Sequence, residues 1–229
     1  MFLNTDNIYI AEKAKNYDCI TYGTAGGCNC RAENISYSAN GIKFDIVSGD
    51  LRFSVRSKLL GMHSALNITA AAAVALNMGL SCEQIAFAVS KLKPVAHRLE
   101  LKKYIGGSTL IDDAYNANPD GSLEAVRVLG SFEGMTKIIV TPGLVELGEK
   151  EYECNARLGE EAGKLCDVII LVGKKRSVPL LDGVRRTNFD LSKLYIADSF
   201  ADAVKIMQTL CNENTAVLFE NDLPDNYAG

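Results

Sequence analysis

Ile111-Asp112-Asp113-Ala114-Tyr115-Asn116-Ala117-Asn118-Pro119 runs from an apolar stretch into two carboxylates and a polar turn, and Ser122-Leu123-Glu124-Ala125-Val126 after it has helical character. A strand that ends in polar side chains and turns into a helix is the unit of an open α/β sheet. In such sheets ligands sit at the carboxyl ends of the strands. One alternative is a capped turn, in which Asn and Asp bond their own backbone and Pro119 opens the helix. Four polar side chains, Asp112, Asp113, Asn116 and Asn118, within seven residues exceed what one turn requires.

Working outward, the chain from Ser108 onward alternates short apolar runs with helical stretches. Strands are predicted at Thr109 to Ile111, Lys137 to Thr141, Val168 to Val172, Leu194 to Ala197 and Ala216 to Phe219. Helices fall between them at Ser122 to Ser131, Glu149 to Cys166, Val178 to Arg186 and Ser199 to Asn212. This pattern implies right-handed crossovers and a parallel sheet covered on both faces. The first third differs. Asp18 to Tyr22, Ile35 to Ser38, Ile42 to Val47 and Leu51 to Val55 read as strands of an antiparallel meander, joined by Asn40-Gly41 and Ser48-Gly49-Asp50. An Ala-rich helix from Ser64 to Met78 ends at Gly79. Ser81-Cys82-Glu83-Gln84 then forms a capping box for a helix that must stop before Pro94. The expected fold class is α/β: a Rossmann-like, mostly parallel sheet over 94–229, preceded over 1–93 by a mixed segment of β-meander plus helices.

Composition narrows the function. Of 229 residues, 48% are hydrophobic and 23% charged, as in an ordinary globular protein. A net charge of -4 leaves no surplus of Lys and Arg to displace counterions, which argues against a nucleic-acid partner. No stretch is apolar over the length of a bilayer span, so no membrane partner is expected. Seven cysteines scattered through apolar surroundings suit reduced thiols in a cytoplasmic protein. Cys28-Asn29-Cys30 offers two thiols with no partner pair, where structural zinc takes four ligands, so no metal site is assigned. Gly26-Gly27 and Gly106-Gly107 are not phosphate loops, since neither precedes a Lys-Ser or Lys-Thr pair.

The Asp112–Pro119 loop, Gly61-Met62-His63-Ser64-Ala65-Leu66-Asn67 before it and Val145-Glu146-Leu147-Gly148 after it resemble the Mur ligase family, MurF type. That type adds D-alanyl-D-alanine to UDP-N-acetylmuramoyl-tripeptide, a peptidoglycan precursor, through an acyl phosphate. The resemblance implies nucleotide contacts by His63 and Asn67 beside the adenine, by Arg98 at the phosphates and by Asp113 at the ribose. It implies substrate contacts by Tyr115, Asn116, Asn118 and Glu146. Each has a plainer alternative: Ser64 as an ordinary helix cap, Arg98 as a surface charge, Glu146 as a first-turn carboxylate favoured by the helix dipole. His97 is assigned no role. Asn4-Thr5-Asp6 weakly resembles a further element of the nucleotide pocket.

The chain also departs from the family. Ser64 stands where the family has Asn, and Phe219-Glu220-Asn221-Asp222-Leu223-Pro224-Asp225 stands where many members carry Lys-Gly-Ser. The Gly-x-x-Gly-Lys-Thr loop, and the downstream residues that organise magnesium, have no counterpart. The resemblance therefore implies the carboxyl-terminal half of the central ATPase domain at 1–93 and the complete C-terminal domain at 94–229, closing about Lys93 to Val95. ATP and Mg would be bound mainly by an absent N-terminal part of the same protein, and the chain alone would be inactive. A folylpolyglutamate synthetase-like ligase fragment and a stand-alone nucleotide- or dipeptide-binding module are the alternatives.

Overall fold

The computed structural model describes residues 1–115 and 118–221. The chain divides into two compact units, Met1–Pro94 and Val95–Gly229.

In the first unit β1 (Phe2–Asn4), β2 (Ile20–Gly23), β3 (Cys30–Ser38), β4 (Gly41–Ser48) and β5 (Leu51–Ser57) form one sheet in sequence order, and α1 (Ile8–Ala14) links the first two strands. Strands β3 to β5 are antiparallel, as the turn residues between them demand. The amino end corrects the expected meander, because β1 to β2 and β2 to β3 are parallel pairs. Strand β3 also begins at Cys30 rather than Ile35. Its register shifts between Glu33 and Ser36, where Asn34 has φ 53°, and such a bulge breaks the alternation by which a strand is recognised.

Two helices complete this unit, α2 (Met62–Asn77) and α3 (Cys82–Ser90). Ser64 is not the cap of α2. The helix starts two residues earlier behind Gly61 (φ 86°), and Ser64 lies buried in its first turn. At the other end Gly79 N–H bonds the Leu76 carbonyl and Leu80 N–H the Ala75 carbonyl, a Schellman closure that uses the left-handed Gly79. The Ser81/Gln84 capping box of α3 is present in full. Ala65, Ile68, Ala72 and Ala73 of α2 join Ile42, Phe44, Ile46 and Val55 of the sheet and Ile85 and Val89 of α3 in one core.

The second unit holds β6 (Glu100–Lys103), β7 (Thr109–Asp113), α4 (Pro119–Gly130), β8 (Thr136–Thr141), α5 (Glu151–Leu165), β9 (Val168–Val172), α6 (Ser177–Arg185), β10 (Leu194–Ala197), α7 (Phe200–Leu210) and β11 (Thr215–Glu220). Strand order is β10-β9-β8-β11-β7-β6, all parallel except β6. The fold is therefore α/β, a mixed sheet followed by a mostly parallel Rossmann-like one. Strand β6 had no counterpart in the sequence pattern, because Glu100-Leu101-Lys102-Lys103 is mostly charged, as edge strands often are. Helices α5 and α6 meet backbone to backbone. A Cβ on Gly159 would run into the Leu180 carbonyl, and one on Gly183 into that of Ala156.

The topology places the site. Strand β11 returns from the far edge and inserts between β7 and β8, so these three carboxyl ends lie side by side where the winding reverses. Among the described residues, no helix is long and apolar enough to cross a membrane.

Candidate functional site at the carboxyl ends of the second sheet

Strand β7 ends in two carboxylates that lie on opposite faces of the sheet, since successive strand residues alternate. Asp112 is buried. Its Oδ2 accepts from Lys102 Nζ at 2.7 Å and lies 2.9 Å from His97 Nδ1, while Lys102 also meets Glu100 at 2.8 Å. Burial opposes charge on Asp112, but the Lys102 and His97 bonds outweigh it and hold the carboxyl below its usual range. The same contacts pull Glu100 down and raise Lys102.

This network fixes the segment that carries Arg98. The His97 N–H donates to Glu100, and the His97 carbonyl accepts from Tyr115 N–H at 3.2 Å. Leu99 N–H donates to Asp113 Oδ1 at 3.0 Å. His97 and Leu99 have φ of 59° and 46°, left-handed values that non-glycine residues adopt only when neighbours enforce them. Arg98 between them lays its guanidinium 5.1 Å from the centre of the exposed Tyr115 ring. Such a stack at an exposed site contributes about 0.5–1 kcal/mol and leaves the guanidinium edge open to an oxyanion.

Thus Arg98, Asp113 and Tyr115 are brought together. Asn118 caps α4, its Oδ1 accepting from Gly121 N–H at 3.0 Å, with Pro119 in the first turn. Asn116 lies outside the described residues. Glu146 is exposed on the connection after β8, with φ 63°, and precedes a 3-10 turn at Gly148–Lys150; it is not in the first turn of α5. Asn155 of α5 pins that connection, accepting from Leu144 N–H at 2.8 Å and donating to the Leu144 carbonyl at 2.9 Å. In the first unit, His63 and Asn67 occupy one exposed face of α2, four residues apart. Asp6 accepts from the backbone of Thr24 and Ala25 and from the Thr24 hydroxyl, so it anchors a turn.

Lys102, His97, Asn155 and Glu220 escaped sequence reasoning. Nothing local marks the first three, whose partners come from other elements. Glu220 closes β11, fully buried, beside Asp113 in the strand register. Burial above all pushes its carboxyl up to about 8.

An ATP phosphate fits this edge, since Arg98 offers a charged fork and Asp113 a hydroxyl acceptor. Among the described residues no three His, Cys, Asp or Glu side chains gather into a group that could hold a metal ion.

Fold and site together define a two-unit α/β protein with a polar cluster at the switch point of a Rossmann-like sheet. Comparison with known proteins takes this further. The Mur ligase, glutamate ligase domain matches residues 97–220, and the Mur ligase middle domain matches residues 1–75. The chain belongs to the Mur ligase family. It is 34% identical over 159 residues to the UDP-N-acetylmuramoyl-tripeptide--D-alanyl-D-alanine ligase of Bacillus subtilis (strain 168), covering 65% of this chain and 34% of that protein. To the Escherichia coli (strain K12) ligase of the same name it is 30% identical over 152 residues, covering 66% and 33%. The crystal structure of MurF from Acinetobacter baumannii superposes with a TM-score of 0.77 at 26% identity, over 96% of this chain and 48% of that one. The chain thus spans about a third to a half of the length of these relatives.

Proposed function

We propose that this chain is the carboxyl-terminal part of a MurF-type ligase, which joins D-alanyl-D-alanine to UDP-N-acetylmuramoyl-tripeptide in the cytoplasm. Residues 1–93 are then the second half of the ATPase domain and 94–229 the C-terminal domain. The observation that carries this is the setting of Arg98 and Asp113. Two neighbouring left-handed residues and the Asp112–Lys102–His97 network hold both at the carboxyl edge of a switch point.

ATP supplies the phosphoryl group that activates the tripeptide carboxylate. The chain's own residues bind and orient. Arg98, steadied on Tyr115, faces phosphate oxygens, where a fixed fork of donors stabilises developing charge. Asp113, oriented by the Leu99 N–H, accepts from a ribose hydroxyl. His63 and Asn67 flank the adenine, Asn67 offering an amide to a purine edge. Tyr115, Asn116, Asn118 and Glu146 contact the acceptor in this reading, Asn118 from the fixed start of α4.

The test is phosphate release with Mg-ATP, the tripeptide precursor and either D-alanyl-D-alanine or glutamate, on the product of the whole reading frame and on the 229-residue chain. Turnover of the whole product with D-alanyl-D-alanine alone supports the proposal. Preference for glutamate points to a folylpolyglutamate synthetase-like enzyme. Turnover by the 229-residue chain itself would show that phosphate activation needs no Gly-x-x-Gly-Lys-Thr loop.

A further inference from the structure

Strand β6 is short, charged and at the sheet edge, and its pairing with β7 sets Glu100 directly opposite Asp112. Two carboxylates opposite each other across a strand pair repel, and Asp112 is buried as well. Lys102 lies two residues on, and therefore on the same face of β6. Its Nζ is 2.7 Å from Asp112 Oδ2 and 2.8 Å from Glu100 Oε2. The same two oxygens also hold His97. Asp112 Oδ2 accepts from His97 Nδ1 at 2.9 Å, and Glu100 Oε2 accepts from the His97 N–H at 3.2 Å. The four contacts close a ring, and among the described residues Lys102 is the one Lys or Arg that meets both carboxylates.

The ring grips one side of a strained turn. His97 and Leu99 are both left-handed, a conformation that non-glycine residues keep only under constraint from their surroundings. The other side is tied by the Arg98 N–H to the Val95 carbonyl at 3.2 Å and by the buried Leu99, whose N–H donates to Asp113 Oδ1 at 3.0 Å. Charge sustains the ring. Burial pushes the Asp112 carboxyl up, and the Lys102 bond and then the His97 bond bring it below its usual range. Lys102 is itself raised, by Asp112 first and by Glu100 second. Without Lys102, Glu100 and Asp112 face each other with no cation between them. Parting the strand pair or protonating a carboxyl relieves that repulsion, and either one loosens the hold on His97.

We propose that Lys102 is a positioning residue for the nucleotide phosphates: by bridging Glu100 and Asp112 it locks the left-handed His97–Leu99 turn and aims Arg98 before any ligand arrives. This rests on the reading of Arg98 as the phosphate contact. Lys102 touches no ligand and acts through Arg98 alone. A guanidinium set in advance spends no binding energy on ordering its own loop, and a displacement of about 1 Å at such a group can cost about a hundredfold in rate. The charged edge strand β6 thereby has a task beyond protecting the sheet edge, which is to deliver Glu100 and Lys102 to the end of β7.

The experiment is a double-mutant cycle in the product of the whole reading frame, with Lys102→Met, Arg98→Ala and the two together. Phosphate release is measured with Mg-ATP, the tripeptide precursor and D-alanyl-D-alanine. The expected result is a loss of about tenfold or more in Lys102→Met, and no further loss when Lys102→Met is added to Arg98→Ala. The same loss with and without Arg98, or no loss in either background, overturns the proposal. A second readout uses the 229-residue chain without ligand: the Arg98 Nε–H proton resonance, which the Tyr115 ring shifts. Lys102→Met should move it to where Tyr115→Leu places it, and an unmoved resonance overturns the proposal. Should Lys102→Met not fold, Lys102→Met with Asp112→Asn leaves no buried carboxylate without its cation and is read in the same two ways. The two readings fail separately. Unchanged kinetics in Arg98→Ala remove Arg98 from the phosphates and leave the resonance to decide whether Lys102 holds the turn. A loss in Arg98→Ala with none in Lys102→Met overturns the positioning role and leaves the ligase reading standing.

Discussion

The two units differ in what lies beneath their exposed candidate residues. In the first, His63 and Asn67 stand on the outward face of α2, while the buried polar residues beneath them are structurally settled; Thr69, for example, donates its hydroxyl to the Ala65 carbonyl at 2.7 Å. In the second, Arg98, Tyr115 and Glu146 are also exposed, but the carboxylates beside them lie at strand ends and share a network with the fold itself. Asp113 holds Leu99, Asp112 holds Lys102 and His97, and Glu220 is sealed between β7 and β8. The contrast teaches that recognition can be added to a helix face at little structural cost. Groups meant to handle charge are better built into strand ends, where burial and neighbours tune them.

The sharpest way to break the comparison is to disturb the scaffold of the second unit alone. Gly183→Ala forces a methyl against the Ala156 carbonyl and should destabilise that unit by about 3 kcal/mol or more, read as a lower denaturation midpoint with the first unit's transition unmoved. A single shared loss would mean that the units unfold together. Next in size, Arg98→Ala in the whole reading-frame product should lower turnover by about a hundredfold with the midpoint nearly unchanged. Kinetics like those of the unaltered enzyme would remove Arg98 from the phosphate site.

Acid–base behaviour sharpens the contrast from another side. Glu220 is raised from an ordinary 4.5 to about 8, so the native state holds its proton more tightly than the unfolded chain. The stability this gives is complete below pH 4.5 and is lost as pH rises through 8. Denaturant titrations should show the second unit losing roughly 2 kcal/mol between pH 6 and 8, with Glu220→Gln flattening that slope. Asp112, held down, contributes in the opposite sense, its stabilisation fading only in acid below the ordinary carboxylate range. The smallest effect belongs to the first unit. His63→Ala and Asn67→Ala should change stability by less than about 0.5 kcal/mol, yet weaken nucleotide binding by the complete enzyme. A large stability loss would make them structural residues.

How far the chain could be read residue by residue follows the range of the interactions. Ser81 and Gln84 lie three apart and announce their box, and Gly79 announces its Schellman closure. The βα units of the second sheet declare themselves because each apolar strand is followed by its own helix. Strand β1 is three residues long, and β6 is mostly charged, so neither offers a periodicity to detect. At the site, Asp113 and Asn118 could be singled out in their loop, whereas Lys102 and His97 gain meaning only once β6 pairs with β7.

By itself, then, the sequence determined the helices, the Ser81/Gln84 box and the Gly79 closure, the parallel core strands and the polar loop after β7, because these depend on neighbours within a few positions. Tertiary structure alone decided that β1 and β2 run parallel, that a bulge bends β3 and that Glu220 stands beside Asp113. The last follows from β11 crossing back into the middle of the sheet. Only that insertion removes water from the carboxyl, and the free energy of a charge depends on what encloses it rather than on its place along the chain.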